Sequence, residues 1–252
     1  MRVLSLGWGV QSFALAAMSA LGEIERVDVA LHADTTHERQ ATYHHAEEWT
    51  PWLEKHGIKV VTVKLDRPMK PESFYGRVAI PAYMTTEKGR GQFGRECTDN
   101  WKRRPMRQWL QQNRNGEVVE LWLGISLDEA LRMKPSNVKY TIHRWPLIEK
   151  HMARADCIRW LQSCGLEVPP KSACVFCPFH GIREWQELKR HDDDWRKAVK
   201  TDNAIRKARP PYDLFIHPAR RPLEEVDLRT QEEKGQMRLD GWDAECSGLC
   251  GV

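Results

Sequence analysis

Three cysteines in this 252-residue sequence have a spacing that suits a metal site. Cys174 and Cys177 stand in the run Cys-Val-Phe-Cys-Pro, which places two thiolates on one tight turn that can bind a single iron or zinc ion. Cys97 is the natural third ligand, because a helix is predicted to begin just after it. With His180 nearby, the same residues can also satisfy tetrahedral zinc, so iron–sulfur and zinc chemistry both stay open.

A second pair of cysteines lies near the end of the chain. Cys246 and Cys250 stand in the glycine-containing residues 245–252, so their thiols can reach an active site or pair with each other. A thiolate is a soft nucleophile, and neighbouring cations lower its pKa and hold an anionic substrate. We take Lys102, Arg103 and Arg132 as the candidate cations.

The start of the chain carries a glycine-containing turn between an apolar strand and a helix. Backbone N–H groups in such a turn can approach a phosphate closely, and the helix N-terminus adds a partial positive charge. The turn matches neither the GxxxxGK[ST] loop nor the GxGxxG loop, so its spacing alone also fits a plain strand-to-helix turn. The residues that would bind a nucleotide here are Ser5, Gly7, Trp8, Gly9, Val10, Gln11 and Ser12.

Strands and helices alternate through most of the chain. Apolar runs predict strands over residues 2–6, 27–33, 59–65 and 118–124, and helical spacing predicts helices over residues 13–21, 38–56, 100–112 and 158–164. This alternation favours βαβ units and a parallel sheet flanked by helices. Ligands of such a Rossmann-like α/β fold bind beyond the carboxyl ends of the strands. The sheet is expected to end near the last of these helices.

The remaining segments are predicted to be less regular. Residues 66–96 contain several prolines and glycines, which is typical of an irregular excursion, either a mobile lid or a plain surface loop. Residues 185–208 are charged and helical, and a Pro-Pro pair then ends the helix. We therefore predict a main domain over residues 1–184, followed by a helical extension and a mostly irregular, cysteine-bearing tail over residues 185–252.

The charge, the apolar runs and the cysteine count of the sequence indicate what class of protein it is. The 39 Lys and Arg against 35 Asp and Glu leave a formal charge of +4, too mild to demand a nucleic-acid partner. The sequence has no secretion signal and no run of about 18 apolar residues, so a soluble, cytoplasmic protein without membrane contact is expected. Seven cysteines, an odd number, fit reduced thiols or metal ligands better than a disulfide scaffold.

Two segments resemble the adenine nucleotide α-hydrolase superfamily. Residues 5–12, Ser-Leu-Gly-Trp-Gly-Val-Gln-Ser, are similar to its modified phosphate loop SxGxxS, and Asp34 and Thr35 are similar to the start of its second-strand DTG-type motif. The resemblance implies a HUP-type parallel sheet, with phosphates or sulfate at the loop and Asp34 and Thr35 close to the nucleotide. Trp8 and Gly9 depart from the family, in which a second small residue and an Asp or Lys are frequent.

Further motifs resemble the phosphoadenosine-phosphosulfate-reductase-like family of that superfamily, over roughly residues 3–180. The matching positions are Cys97, Lys102 and Pro105 of a CCxxxKxxP motif, Gly124 and Arg132 of a TGxR segment, and Cys174 and Cys177 of a closing cysteine motif. The resemblance implies a [4Fe–4S] cluster on the three cysteines, Gly124 beside the nucleotide, and Lys102 and Arg132 at the substrate. Glu96 replaces the first cysteine of the CC pair, so the fourth cluster ligand stays open.

Three functions are compatible with these motifs. The altered Glu96–Cys97 pair favours an iron–sulfur-dependent sulfurtransferase, which adenylates its substrate with ATP and Mg²⁺, releases pyrophosphate and AMP, and inserts sulfur from a donor. Its acceptor would be a nucleic acid or a small molecule. The alternative is a reductase in which Cys246, which follows a glutamate as in the reductase tail, attacks the sulfur of adenylyl sulfate or its 3′-phosphorylated form. A third option is a non-enzymatic nucleotide- or nucleic-acid-binding protein with a structural metal site, and a homodimer is compatible with all three.

Overall fold

The structure, a computed structural model, describes residues 1–67, 69–73, 77–87, 89–92 and 94–235. Its strands, in chain order, are β1 (Arg2–Ser5), β2 (Val29–Ala33), β3 (Lys59–Val63), β4 (Tyr83–Thr86), β5 (Gly89–Gln92), β6 (Val119–Trp122), β7 (Thr141–Arg144) and β8 (Leu214–Phe215). The predicted tail cysteines, Cys246 and Cys250, lie outside the described residues.

The helices follow in the same order. They are α1 (Val10–Leu21), α2 (Gln40–Lys55), α3 (Arg104–Asn113), α4 (Pro146–Glu149), α5 (Arg154–Ser163), α6 (Ile182–Lys189) and α7 (Asp192–Ile205). A π-helical segment, Thr98–Arg103, precedes α3, and short 3-10 helices span Leu127–Arg132 and Leu223–Glu225. Within the described part of the chain, no helix is both long enough and apolar enough to cross a lipid bilayer.

The chain divides into two compact units. The first contains residues 1–66 and 100–173, and the described residues of the second are those of 67–99 and 174–235. This division differs from the boundary at residue 184 that the sequence predicts. The physical reason is a long-range pairing, because β4 from the early excursion pairs with β8 from the late part of the chain.

The first unit is built on a five-stranded parallel sheet with the order β3-β2-β1-β6-β7. In its centre, Val3 of β1 lies opposite Val29 of β2 on one side and Leu121 of β6 on the other. Helices connect the parallel strands, as parallel pairing requires. The predicted Rossmann-like α/β fold is therefore confirmed.

Alternate residues of the central strands are buried on opposite faces of the sheet. Leu4 and Ala30 belong to a core with α1, α2 and α5, whereas Val3 and Leu31 belong to a second core with α3. All five residues of β2 are buried, because helices cover both faces. This burial on both sides explains why the central strands appear in the sequence as continuous apolar runs.

The edge strand β7 is a feature that the sequence pattern missed. Only Thr141 of its four residues is fully buried, and Ile142 is exposed. An edge strand with one exposed side needs no apolar run, so periodicity alone does not reveal it. The other strands of this unit begin and end within about two residues of their predicted bounds, as local patterns allow.

The second unit contains a three-stranded antiparallel sheet with the order β5-β4-β8. Residues 66–96, which the sequence predicts to be irregular, supply the hairpin of β4 and β5, with Tyr83 opposite Gln92 and Thr86 opposite Gly89. That prediction is corrected because the hairpin is rich in glycine and polar residues and gains its third strand far along the chain. The predicted helical stretch of residues 185–208 forms the two helices α6 and α7.

Candidate functional site

The strand order places a candidate ligand site at the carboxyl ends of the strands in the first unit's sheet. In the order β3-β2-β1-β6-β7, the direction of the strand order reverses between β1 and β6, and ligands of open parallel sheets bind at such a switch point. Residues 6–9 leave β1 there, and residues 123–126 leave β6. Ser5 is the last residue of β1, and its hydroxyl lies 3.9 Å from the sulfur of Met106. The predicted nucleotide residues 5–12 and Gly124 therefore meet at this edge.

The turn between β1 and α1 presents backbone donors. Gly9 is the N-cap of α1, and among the described residues no side chain caps this end and no acidic residue occupies its first turn. The first intrahelical bond ends on the Gly9 carbonyl, so the N–H groups of Val10, Gln11 and Ser12 precede it. The Ser12 hydroxyl accepts from the Gly7 N–H (3.1 Å) and donates to the Gly9 carbonyl (3.2 Å). A helix N-terminus of this kind suits a bound anion.

The glycines of the two loops differ in the space around them. A Cβ on Gly7 would lie 3.8 Å from the Ser12 hydroxyl oxygen, and one on Gly9 would lie 3.6 Å from the Cβ of Ser172, both ordinary contacts. A Cβ on Gly124 would lie only 2.9 Å from the Ser12 nitrogen. Gly124 is thus required for the loop after β6 to pack against α1, whereas a Cβ at Gly7 or Gly9 would fit without a clash.

Trp8 anchors the turn from inside the core. Its φ of +57° is left-handed, which costs a side-chain-bearing residue about 1–2 kcal/mol. The indole is 1% exposed and packs against Phe13, His32 and His45, with ring centroids 6.4, 6.4 and 6.0 Å away. Trp8, predicted as a nucleotide contact, can therefore serve a ligand only through its backbone.

Two buried histidines that no sequence motif marks, His32 and His45, support this anchor. The Nδ1–H of His32 donates to the Leu6 carbonyl (3.0 Å), which ties β2 to the turn after β1. Burial lowers the pKa of His32 and lowers that of His45 to about 4, so both rings are neutral. Neither ring nitrogen of His45 has a hydrogen-bond partner among the described residues. A histidine within an apolar strand, like His32, or within a helix, like His45, gives no sequence signal of this role.

The predicted second-strand motif organises the turn after β2. The Asp34 carboxylate accepts from the Thr36 N–H (2.7 Å) and from the Tyr43 hydroxyl (2.9 Å). Thr36 has a φ of +58°, and the Asp34 contact holds it in this left-handed conformation. Burial, with the hydrogen bond to Asp34, raises the pKa of Tyr43 and keeps its hydroxyl protonated as a donor. Thr35 donates to the Glu38 carboxylate (3.3 Å).

Lys102, the predicted catalytic cation, forms an ion pair with the Glu38 carboxylate. Its ammonium is 3.1 Å from the Glu38 Oε1, and the Glu38 side chain is 1% exposed, against 37% for Lys102. A carboxylate this deeply buried requires a charged or hydrogen-bonding partner. The pair therefore fixes a partly exposed cation next to Thr35, at the carboxyl end of β2.

Arg132, the second predicted cation, belongs to a polar group beside the first turn of α1. Its guanidinium donates to the Glu129 carboxylate (2.5 Å). The Gln11 amide donates to the same carboxylate and to the Ser126 hydroxyl, both at 3.4 Å, and accepts from Arg154 (3.1 Å). The Gln11 side chain is thus used within the protein, so its contribution to a nucleotide would come from its N–H group.

The predicted metal turn lies in the second unit. The Cys177 N–H donates to the Cys174 carbonyl (3.0 Å), and the His180 N–H donates to the Cys177 carbonyl (3.2 Å). The His180 Nε2 lies 3.0 Å from the Cys174 carbonyl, and since a carbonyl only accepts, this nitrogen carries the proton. Its Nδ1 faces Glu184 at 3.8 Å. His180 therefore braces the cysteine turn, which does not support it as a zinc ligand.

The described residues do not assemble a metal site. No group of three or more His, Cys, Asp or Glu side chains in the described ranges is placed to hold a metal ion, and this includes Cys97, Cys174 and Cys177. None of these three cysteines is in a disulfide. A [4Fe–4S] cluster or a zinc ion on these three thiols therefore stays a prediction. Cys246, the predicted nucleophile, lies outside the described residues.

Comparisons with known proteins give a structural similarity. No family model and no curated protein matches the chain. Among solved structures, it is similar to the phosphate complex of phosphoadenylyl-sulfate reductase from Candida auris, at 11% identity and a TM-score of 0.43. The similarity covers 67% of this chain and 74% of that chain. It is a similarity of the backbone, and it transfers no residue role from that enzyme to this chain.

Proposed function

We propose that the chain is an enzyme that binds a sulfonucleotide, adenylyl sulfate or its 3′-phosphorylated form, and reduces its sulfuryl group with a thiol. The observation that carries the proposal is the uncapped N-terminus of α1 at the switch point of the sheet. Backbone N–H groups and the helix dipole converge there on the position of a phosphate or sulfate. The resemblance of residues 5–12 to a nucleotide loop supports the same ligand.

Two fixed cations fit an anionic substrate at this edge. Lys102 is held by Glu38 at 3.1 Å, and Arg132 is held by Glu129 at 2.5 Å. Side chains that are already held lose less conformational freedom when they bind an anion. In this proposal, the two cations contact the sulfate and phosphate oxygens and lower the pKa of the attacking thiol.

The reaction needs a thiolate, which Cys246 supplies in this proposal. Its sulfur attacks the sulfuryl sulfur, a sulfur–sulfur bond forms, and AMP or its 3′-phosphate leaves with the electron pair of the broken sulfur–oxygen bond. One thiolate of a dithiol reductant then attacks the Cys246 sulfur, sulfite leaves, and a mixed disulfide forms. The second thiol of the reductant attacks this mixed disulfide, which releases the Cys246 thiolate and leaves the reductant as a disulfide. The dithiol thus supplies the two electrons, and no step passes through a metal cluster.

A second candidate is the ATP-dependent insertion of sulfur into an acceptor. It is favoured by Glu96, which stands where the resembling motif has its first cysteine. Glu96 forms an ion pair with Arg77 at 3.5 Å, and both side chains are more than a third exposed. That position therefore carries a surface charge instead of a thiolate. In this candidate, ATP with Mg²⁺ occupies the same turn, a sulfur donor is required, and pyrophosphate and AMP are released.

The substitution Gly7→Ala tests the nucleotide turn. Its Cβ has room in the structure, 3.8 Å from the nearest atom, so folding is expected to be retained while the ligand's approach to the backbone is blocked. Loss of one hydrogen bond to a charged group, about 1.5–3 kcal/mol, predicts an affinity about 10- to 100-fold lower in calorimetric titration. The control Gly94→Ala, whose Cβ would contact nothing within 4 Å, should bind like the wild type. Unchanged affinity of a folded Gly7→Ala variant would show that the turn is not the site.

The products separate the two candidates. With a sulfonucleotide and a dithiol, the wild type should release sulfite, and Cys246→Ser should stop this release without changing nucleotide affinity. Release of pyrophosphate from ATP, with no sulfite from either sulfonucleotide, would replace the first candidate by the second. Sulfite release at the wild-type rate by Cys246→Ser would remove this cysteine from the mechanism.

A further inference from the structure

Two segments of the first unit are rich in basic residues and lack carboxylates. Residues 100–116, which include α3, contain five Lys and Arg, and residues 130–148, which include β7, contain four. Neither segment contains an Asp or Glu. Since the whole chain has a formal charge of only +4, acidic residues outnumber basic ones in the rest of the sequence. The positive charge of the chain is therefore concentrated in these two segments.

Direct contacts join the two segments into one surface. The Arg107 guanidinium donates to the side-chain oxygen of Asn137 (3.0 Å), and the Tyr140 hydroxyl donates to the Arg107 carbonyl (3.5 Å). The Arg114 guanidinium lies over the Tyr140 ring, 4.6 Å from its centroid. Both arginines thus contact residues that flank Lys139 in sequence, and Lys134 lies three residues before Asn137.

Four cations, Arg107, Arg114, Lys134 and Lys139, form what we call the basic face. The two guanidinium groups contact neutral groups, namely an amide, an aromatic ring and the Glu117 carbonyl at 3.0 Å. The two lysines are exposed. Contacts of this kind orient the arginines without neutralising them, so the charge of the face remains available to an anion.

The same segments contain cations with a different role. Arg132 is paired with Glu129, and Arg144 is paired with Glu25, Glu120 and Glu149. These carboxylates come from outside the two basic segments. The basic face does not depend on these paired cations.

We propose that the basic face binds a nucleic acid through its phosphate backbone. Arg107 of α3 and Arg114, which directly follows the last turn of α3, are seven residues apart, about 10 Å along the helix axis and on one side of it. This distance covers more than one phosphate of a strand, whose rise is about 3.4 Å per nucleotide in a duplex.

The packing of α3 argues for this ligand over a lipid surface. Basic helices that bind membranes insert an apolar side among the lipids. Pro105, Met106 and Leu110 of α3 are buried, and the partly buried Trp109 packs against the same core of β1 and β2 residues. The helix therefore presents charge without an insertable side, which suits a phosphate backbone in water. The proposal goes beyond the reduction of a sulfonucleotide and does not depend on it.

The test is fluorescence anisotropy with a labelled stem–loop RNA and a DNA of the same sequence. If the four cations each neutralise one phosphate, raising the salt from about 50 to about 200 mM should weaken binding roughly 50- to 150-fold. The double variant Lys134→Glu and Lys139→Glu should weaken binding at least about tenfold and reduce the salt slope by about 2. Tighter binding of RNA than of DNA would show that the face also contacts the ribose. Equal affinity for both would show that it recognises the phosphates alone.

A matched control makes the test specific. Lys59 and Lys64 are exposed at β3, the opposite edge of the same sheet, and their double change to glutamate alters the charge equally. This control should keep the wild-type affinity within about twofold, because it lies outside the basic face. Equal losses in both double variants would mean general charge attraction and would overturn the proposal. So would the absence of binding at low salt, or binding to phosphatidylserine vesicles without binding to nucleic acid.

Discussion

Acid is expected to destabilise the chain through His45, which is buried in its neutral form. Its ring packs edge-on against Phe13 and Trp8, with centroids 4.7 and 6.0 Å away. Burial lowers its pKa from 6.5 to about 4. Unfolding restores the ordinary value, so between about pH 6.5 and 4 the unfolded chain binds more protons than the folded one. The contribution of His45 is fully present above pH 6.5 and is lost as the pH falls towards 4.

The size of the effect follows from the two pKa values. At pH 5, linkage predicts that the free energy of unfolding is about 2 kcal/mol lower than at neutral pH because of this one group. Below pH 4, the loss approaches about 3.4 kcal/mol, since each pKa unit corresponds to about 1.36 kcal/mol. Against a total stability of about 5–15 kcal/mol, a loss of this size is readily measured.

The substitution His45→Met removes the titrating group and keeps an apolar side chain of similar volume. Guanidinium chloride unfolding at about pH 7.5 and pH 5 should show a pH-dependent loss about 2 kcal/mol smaller in this variant than in the wild type. His44→Met, at the exposed neighbouring position on α2, should keep the wild-type pH dependence. The buried His217, whose pKa burial also lowers to about 4, should leave some acid sensitivity in every variant. If His45→Met loses as much stability on acidification as the wild type, the reasoning is wrong.

Two further substitutions test the packing, one in each unit. Gly124→Ala should lower the free energy of unfolding by about 1–3 kcal/mol in thermal unfolding, because its Cβ would lie 2.9 Å from the Ser12 nitrogen, a backbone atom that cannot move alone. A melting temperature equal to that of Gly7→Ala would contradict this prediction. Asp202→Ala should cost about 3–5 kcal/mol in denaturant unfolding, because this buried carboxylate accepts two backbone N–H groups, at 2.9 and 3.0 Å, and pairs with Arg206. A cost below about 1 kcal/mol would show that the second unit does not depend on this carboxylate.

Local sequence patterns were sufficient to predict the strand and the helix on either side of the nucleotide turn. The apolar run of residues 2–6, the glycine-containing turn and the alanine-rich residues 13–21 predict β1 and α1 in their observed order. Such elements are stabilised by neighbours in sequence and by burial of a periodic apolar face, both of which a short window contains. The alternation of strands and helices then implies a parallel sheet, because parallel strands need long crossover connections.

Local patterns failed where an element depends on distant partners. The hairpin of β4 and β5 has little apolar character, and it forms a sheet only with β8, which lies far along the chain. The spacing of Cys97, Cys174 and Cys177 likewise predicts ligand chemistry but contains no information on distance in the fold. In the described ranges these thiols do not gather into a metal-binding group.

The sequence by itself therefore determined the α/β class, the strand, turn and helix at its start, and the residue types available for anion binding. Only the tertiary structure decided which of them act together. Lys102 contacts the buried Glu38, and His45 packs against Trp8. Gly124 allows the loop after β6 to pack against the first turn of α1, because no side chain fits there. Each of these contacts is between residues that no local pattern relates, and their pairing follows from how the sheet and its helices exclude water and fill space.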